Sequence, residues 1–137
     1  MLFRSAGTMN SSTPCIVAAS ATLDVLEQDR VHERLFVLGK RLMEGLRLAG
    51  EEAGFPILVQ GLGPMFHVGF TALPQVSDFR DTLSYDKARY ARFVLGMQER
   101  GIRLIGRGLW YLSAAHTEAD IDYALMVAKE VLKEIAE

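Results

Sequence analysis

The stretch ILVQGLGPMFHVGFT, residues 57–71, decides the fold. Ile57 to Gln60 and Met65 to Thr71 are short runs rich in β-branched, aromatic and other apolar residues, and between them Gly61-Leu62-Gly63-Pro64 carries turn chemistry. Two strands so close in sequence favour a hairpin, with parallel pairing as the alternative. A hairpin cannot bury its apolar face alone, so the rest of the chain has to supply the cover.

Helical patterns flank this hairpin. Upstream, Leu35, Leu38, Leu42, Leu46 and Ala49 recur at three- and four-residue steps from Val31 onward, while Glu33, Arg34, Lys40, Arg41, Glu44 and Arg47 take the other faces. Gly54-Phe55-Pro56 stops this amphipathic helix despite its internal Gly39 and Gly45. Earlier still, Thr13-Pro14 marks a helix start with threonine as the cap, and the helix runs to about Glu27. Its residues Ile16, Val17, Ala18, Ala19 and Ala21 are small and apolar around most of the circumference, which predicts a helix covered on several sides.

Downstream, a polar connection over 74–84 leads to Asp86, a cap for a helix that turns Tyr90, Phe93, Val94 and Met97 inward and ends at Gly101. Ile102 to Ile105 and Leu109 to Ser113 are β-prone runs around Gly106-Arg107-Gly108, a second candidate hairpin. Thr117 and Asp120 form a capping box ahead of a last helix lined by Ile121, Ala124, Leu125, Ala128, Leu132 and Ile135. The expected class is α+β: a small, mainly antiparallel sheet of about four strands covered by helices, with a long helical N-terminal segment. The chain of 137 residues, half of them hydrophobic, is sized for one domain, 1–137.

Bulk properties narrow the function. A net charge of -2 from 15 basic and 17 acidic side chains leaves no footprint for nucleic acid. One cysteine, Cys15, excludes an internal disulfide framework and suits a reducing, cytoplasmic setting. No segment approaches about 20 uninterrupted apolar residues, and the opening MLFRSAGTMNSS does not read as a secretion signal.

Individual residues suggest little chemistry. His67 and His116 lack the further ligands a zinc site requires, so no metal is expected. Ser113 with His116 has the composition of a nucleophile and base, but a strand-end serine and a histidine before a cap have simple structural roles. Gly61, Gly63, Gly106 and Gly108 lie outside the strand-then-helix setting of a phosphate loop and are assigned to turns. Tyr90, Phe93, Met97 and Trp110 are assigned to the core rather than to a pocket. Gly7-Thr8 differs: a hydroxyl and backbone N–H groups just before a helix suit an anionic oxygen.

The run AGTMNSSTPCIVAASATLDVLE, residues 6–27, resembles the segment that opens the small domain of class III aminotransferases, a Gly-Thr pair before an alanine-rich helix. GLGPMFHVGFT (61–71), SYDKARYARFVLGMQERGIRL (84–104) and YLSAAHTEADID (111–122) follow in the order of the signatures of glutamate-1-semialdehyde aminomutase and its relatives, covering nearly the whole chain. The resemblance implies a carboxyl-terminal small domain, with the first 28 or so residues a connecting segment and helix leading from a large domain. It also implies pyridoxal 5'-phosphate in the intact enzyme, a Schiff-base lysine in that large domain, and a dimer with shared active sites.

Thr8 would then give its hydroxyl to the cofactor phosphate of the neighbouring subunit, and Gly7 would allow close backbone approach. Where the family has Asn-Pro after Gly-Thr, this chain has Ser12-Thr13, and its proline comes one residue later. Lys40, Lys87, Lys129 and Lys133 all fall on expected helices, and none matches the catalytic lysine, so no catalytic residue is assigned. Arg103 and Arg107 align with no carboxylate-binding arginine and are read as surface or structural. The chain alone is therefore expected to be catalytically incompetent, to bind no cofactor by itself, and to form a homo-oligomer. The alternative is a non-catalytic truncated module that self-associates through its alanine-rich helix.

Overall fold

A computed structural model describes Gly7 and residues 12–136. The chain divides into two compact units, 1–34 and 35–137. In the first lies α1, Thr13–Gln28, with proline in its first turn. Ser12 rather than Thr13 holds the cap position and makes no side-chain capping bond, because the helix already begins at Thr13. Among the described residues the expected cover is absent: no residue of α1 is buried, and Ile16, Val17, Leu23 and Val25 are each more than half exposed.

The second unit holds most of α2 (Val31–Ala53), then β1 (Ile57–Leu62), β2 (Met65–Phe70), a single 3-10 turn at Asp81–Ser84, α3 (Lys87–Glu99), β3 (Leu109–Tyr111) and α4 (Glu118–Glu134). β1 and β2 form the expected hairpin, antiparallel from Ile57 opposite Phe70 to Leu62 opposite Met65, which removes the parallel alternative. The strands run further than their composition indicates. Gly61 and Leu62 belong to β1, so only Gly63-Pro64 makes the turn. Gly63 has φ +56°, and Gly39 of α2 lies so close that a Cβ on Gly39 would stand 2.0 Å from the Gly63 carbonyl oxygen. Two glycines thus bring the helix and the hairpin turn into backbone contact, a use of Gly39 that helix propensity alone does not reveal.

The sheet has three strands in the order β1-β2-β3, not about four, and both pairings are antiparallel. The run 102–105 pairs with nothing as a strand. Its Ile102 N–H is spent on the Met97 carbonyl at 2.9 Å, closing the α3 C-terminus beside Gly101, and both edges of β2 are taken by β1 and β3. Ile102 and Leu104 pack on the core all the same, so the β-like alternation reflects burial without a ladder.

Alternation across the sheet separates two faces. Val59, Phe66, Val68, Phe70 and Trp110 are buried and join the core with Leu38, Leu42 and Leu46 of α2, Tyr90, Phe93 and Met97 of α3, and Ile121, Val127, Val131 and Leu132 of α4. Helices thus cover one side of the sheet, as an α+β sandwich requires. The opposite face carries Gln60, Leu62, Met65, His67, Leu109 and Tyr111, with Leu62 and Met65 exposed. Both expected caps are formed: Asp86 accepts from the Arg89 N–H at 2.9 Å, and Thr117 and Asp120 make a reciprocal capping box.

Candidate functional site

The connection from β2 to α3 folds back over the open face of the sheet. Asp81 accepts the Ser77 and Asp78 N–H groups at 2.8 and 3.3 Å, and Gln60 of β1 exchanges side-chain hydrogen bonds with the Val76 backbone at 2.9 and 3.0 Å. The Asp86 N–H donates to the Phe70 carbonyl at 2.9 Å, so the segment is tied down at both ends. Tyr85, just before α3, lies against Gly69, where a Cβ would stand 2.5 Å from the tyrosine ring.

On the other side the turn 106–108 is held to β2. The Val68 N–H donates to the Gly108 carbonyl at 2.8 Å, and Gly108 takes φ +88° at a place where a Cβ would meet the Val68 carbonyl oxygen and His67 Nε2 at 2.5 Å. Between the two segments is a cavity of about 490 Å³ lined by His67, Phe79, Thr82, Tyr85, Lys87, Tyr90, Arg107 and neighbouring backbone. Its size is within the range of small-molecule sites.

The titratable groups here are set by burial. His67, its Nε2–H donating to the Arg107 carbonyl at 3.2 Å, has its pKa lowered chiefly by burial, which this hydrogen bond partly offsets. Burial pushes the Tyr90 hydroxyl up to about 12, with the Trp110 indole acting in the opposite sense, so Tyr90 stays protonated while its hydroxyl reaches the Ile105 carbonyl at 3.5 Å. Tyr85 is raised by burial first and by the Asp81 charge second.

The His67 shift predicts a pH dependence. The unfolded chain takes up a proton at this histidine near pH 6.5, whereas the folded chain does so only at lower pH. The contribution is complete above about pH 6.5 and is lost as pH falls from there through the folded value. In urea titrations at pH 7.5 and 5.5, the His67→Gln variant should lose less stability than the parent chain between the two. Equal losses would show that His67 is not responsible.

The residues singled out from sequence are dispersed. Gly7 is exposed, and Thr8 lies outside the described residues. Ser113 Oγ lies 3.1 Å from His116 Nδ1, but that nitrogen also accepts the Ser113 N–H at 2.9 Å, while the His116 N–H returns to the Ser113 carbonyl at 3.1 Å. The pair closes a four-residue turn; His67 belongs to the cavity. Arg103 is exposed elsewhere, whereas Arg107 joins the cavity through both its backbone and its lining position, and so does Tyr90, assigned from sequence to the core alone. Sequence reading missed Phe79, Thr82 and Tyr85, although two aromatics in or beside an otherwise polar connection were the available signal.

The lysines do not fit a carbonyl cofactor. Such a residue needs an amine whose pKa is depressed by desolvation or a neighbouring cation. Lys40 pairs with Glu44 at 3.9 Å, Lys129 with Glu52 at 3.0 Å, and Lys87 and Lys133 are exposed.

No family model matches the chain. It is 45% identical over 132 residues to glutamate-1-semialdehyde 2,1-aminomutase of Desulfitobacterium hafniense, a similarity that takes in 95% of this chain but only 30% of that protein. Among solved structures, a transaminase with PLP bound superposes with a TM-score of 0.78 at 25% identity, covering 98% of this chain and 30% of the other. An omega-transaminase from Sphaerobacter thermophilus superposes at 0.81 and 22%, covering 98% and 31%. The chain thus spans about 30% of the length of the curated relatives it matches. In sequence the chain is similar to one part of glutamate-1-semialdehyde 2,1-aminomutase, and in fold to the corresponding share of transaminases.

Proposed function

We propose that residues 1–137 act as the small domain of a pyridoxal-phosphate-dependent aminotransferase or glutamate-1-semialdehyde-type aminomutase, working with a large cofactor-binding domain and not catalysing the reaction alone. The observation that carries this reading is the similarity that fills 95% of the chain yet only 30% of the relative. Pyridoxal phosphate, when bound, supplies an electron sink for the carbanion formed beside the amino group.

The contribution of this chain is positioning. Its packed sandwich gives a rigid wall with which to close over a substrate and exclude water. Thr8 donates its hydroxyl to a cofactor phosphate oxygen in the neighbouring subunit of a homodimer, and Gly7 lets the backbone approach. The apolar residues Ile16, Val17, Leu23 and Val25 exposed on α1 support a face that is covered in the assembled protein, and the same exposure supports the second reading, a truncated module that self-associates. The one cysteine, exposed and free, supports a cytoplasmic setting. Among the described residues no helix is long and apolar enough to cross a membrane.

Mixing the purified chain with pyridoxal phosphate, reducing with borohydride and mapping modified lysines by mass spectrometry tests the proposal. Sparse labelling spread over Lys40, Lys87, Lys129 and Lys133 is expected. One lysine labelled stoichiometrically would mean that the chain holds the cofactor by itself, and the reading would fail.

A further inference from the structure

We propose that residues 72–85, the connection from β2 to α3, form a hinged lid over the cavity on the open face of the sheet, held shut by the Gln60 side chain acting as a latch on Val76. The inference rests on unit 35–137 alone and does not depend on the aminotransferase reading.

The ends of the segment are fixed side by side. Thr71 is buried, and the Asp86 N–H donates to the Phe70 carbonyl at 2.9 Å, so the chain leaves and rejoins the sheet at neighbouring points. Tyr85 packs against Gly69 and stays with the sheet. Surface loops closed in this way are compact units, and their terminal residues are where a hinge can absorb the change in backbone angles.

Between these ends the segment is held together by its own bonds. The Asp81 carboxylate accepts the Ser77 and Asp78 N–H groups, Asp78 Oδ1 accepts the Arg80 N–H at 2.7 Å, and the Thr82 and Ser84 hydroxyls donate to the Phe79 and Asp81 carbonyls at 2.6 and 2.7 Å. All of these survive if the segment lifts, so it swings as one piece.

Very little holds it down. Among the described residues, the two bonds between the Gln60 amide and the Val76 backbone, 2.9 and 3.0 Å, are the only hydrogen bonds that join residues 74–84 to another element, and no ion pair does so. Burial adds little: Phe79 and Leu83 are 79% and 63% exposed, and of residues 74–84 only Val76, Asp81 and Thr82 are half-buried. A segment with so few buried apolar contacts opens far more readily than the whole fold unfolds. The primary amide of glutamine offers one donor and one acceptor to the N–H and C=O of a single residue, and two neutral bonds of this kind are together worth on the order of ten-fold in an equilibrium, enough to bias the lid and weak enough to release. Phe79 and Thr82 of the lid line the cavity opposite Leu109 of β3, so lifting the lid uncovers Leu109.

Thiol labelling with an aromatic disulfide reagent tests this on the full chain, with Leu109→Cys carried on a Cys15→Ser background. Cys15 of the parent, which is exposed, gives the rate of an open thiol. The thiol at position 109 should react about ten-fold or more slowly than Cys15, at a rate nearly independent of urea below the unfolding transition, because lifting the lid exposes little surface. Adding Gln60→Met, which keeps the side-chain length and removes both bonds, should speed labelling about ten-fold. Labelling as fast as that of Cys15 would show a cavity open without any lid movement. A rate that rises with urea as steeply as global unfolding would show that the segment never lifts by itself, and an unchanged rate in the Gln60→Met variant would show that Gln60 is not the latch. Each of the three would overturn the proposal.

Discussion

Phe66→Ala should be the most damaging single truncation in the sheet, lowering the unfolding free energy by about 3–5 kcal/mol. Phe66 sits on the middle strand with 2% of its surface exposed, paired with Gly61 on one side and Trp110 on the other, and its ring stacks on that of Trp110 with centroids 5.7 Å apart. Truncation removes the transfer free energy of the ring and leaves a cavity that a middle strand cannot collapse to fill. Against a total stability of about 5–15 kcal/mol for an ordinary domain, this is a large fraction. Met65 is the internal control: its side chain points to the opposite face and is 57% exposed, so Met65→Ala should change stability by no more than about 0.5 kcal/mol. Urea denaturation of both variants checks the assignment of faces. Similar losses in the two would show that the register of β2 is wrong.

Gly39→Ala should also destabilise, although alanine is the better helix former by about 1 kcal/mol. The new methyl would stand 2.0 Å from the Gly63 carbonyl oxygen and 2.5 Å from its carbonyl carbon, both backbone atoms of a two-residue turn whose ends are fixed by Leu62 opposite Met65. Helix α2 cannot move off without opening the contact of Leu38, Leu42 and Leu46 with the core. Overpacking costs about 1–3 kcal/mol, and against backbone atoms the upper end applies, so after the helix-propensity gain of about 1 kcal/mol the net expectation is a loss of about 2 kcal/mol, or several degrees of melting temperature. Gly45 on the same helix offers the comparison. There an added Cβ meets the Leu125 methyl carbons at 2.5 and 2.6 Å, the far end of a side chain that can rotate away. Thermal melts should therefore rank Gly39→Ala well below Gly45→Ala, and the reverse order would count against the helix-turn contact.

Both predictions draw on features with different legibility. The apolar spacing Leu35, Leu38, Leu42, Leu46, Ala49 placed the buried stripe of α2, and all five residues are buried. The Thr117–Asp120 capping box and the Asp86 cap are local motifs, closed within one turn, and both are formed as their residues indicate. The candidate site is another matter. Thr8 was chosen by resemblance and lies outside the described residues, while the cavity is assembled from Phe79, Tyr85, Lys87 and Arg107, residues that no spacing rule groups together.

By itself the sequence determined the three long amphipathic or apolar helices up to residue 101, the β1–β2 hairpin, the final capped helix and the likeness to the aminotransferase small domain. These depend on interactions between residues a few positions apart, or on patterns that repeat within one element. Only the tertiary structure decided that the run 102–105 joins no sheet, that Gly39 is the point where α2 meets a turn, and that the β2–α3 connection and the 106–108 turn enclose a cavity. Periodicity reports which side of a segment is buried, but the partner of a backbone N–H is chosen by what else reaches it. At Ile102 the end of α3 reached it first.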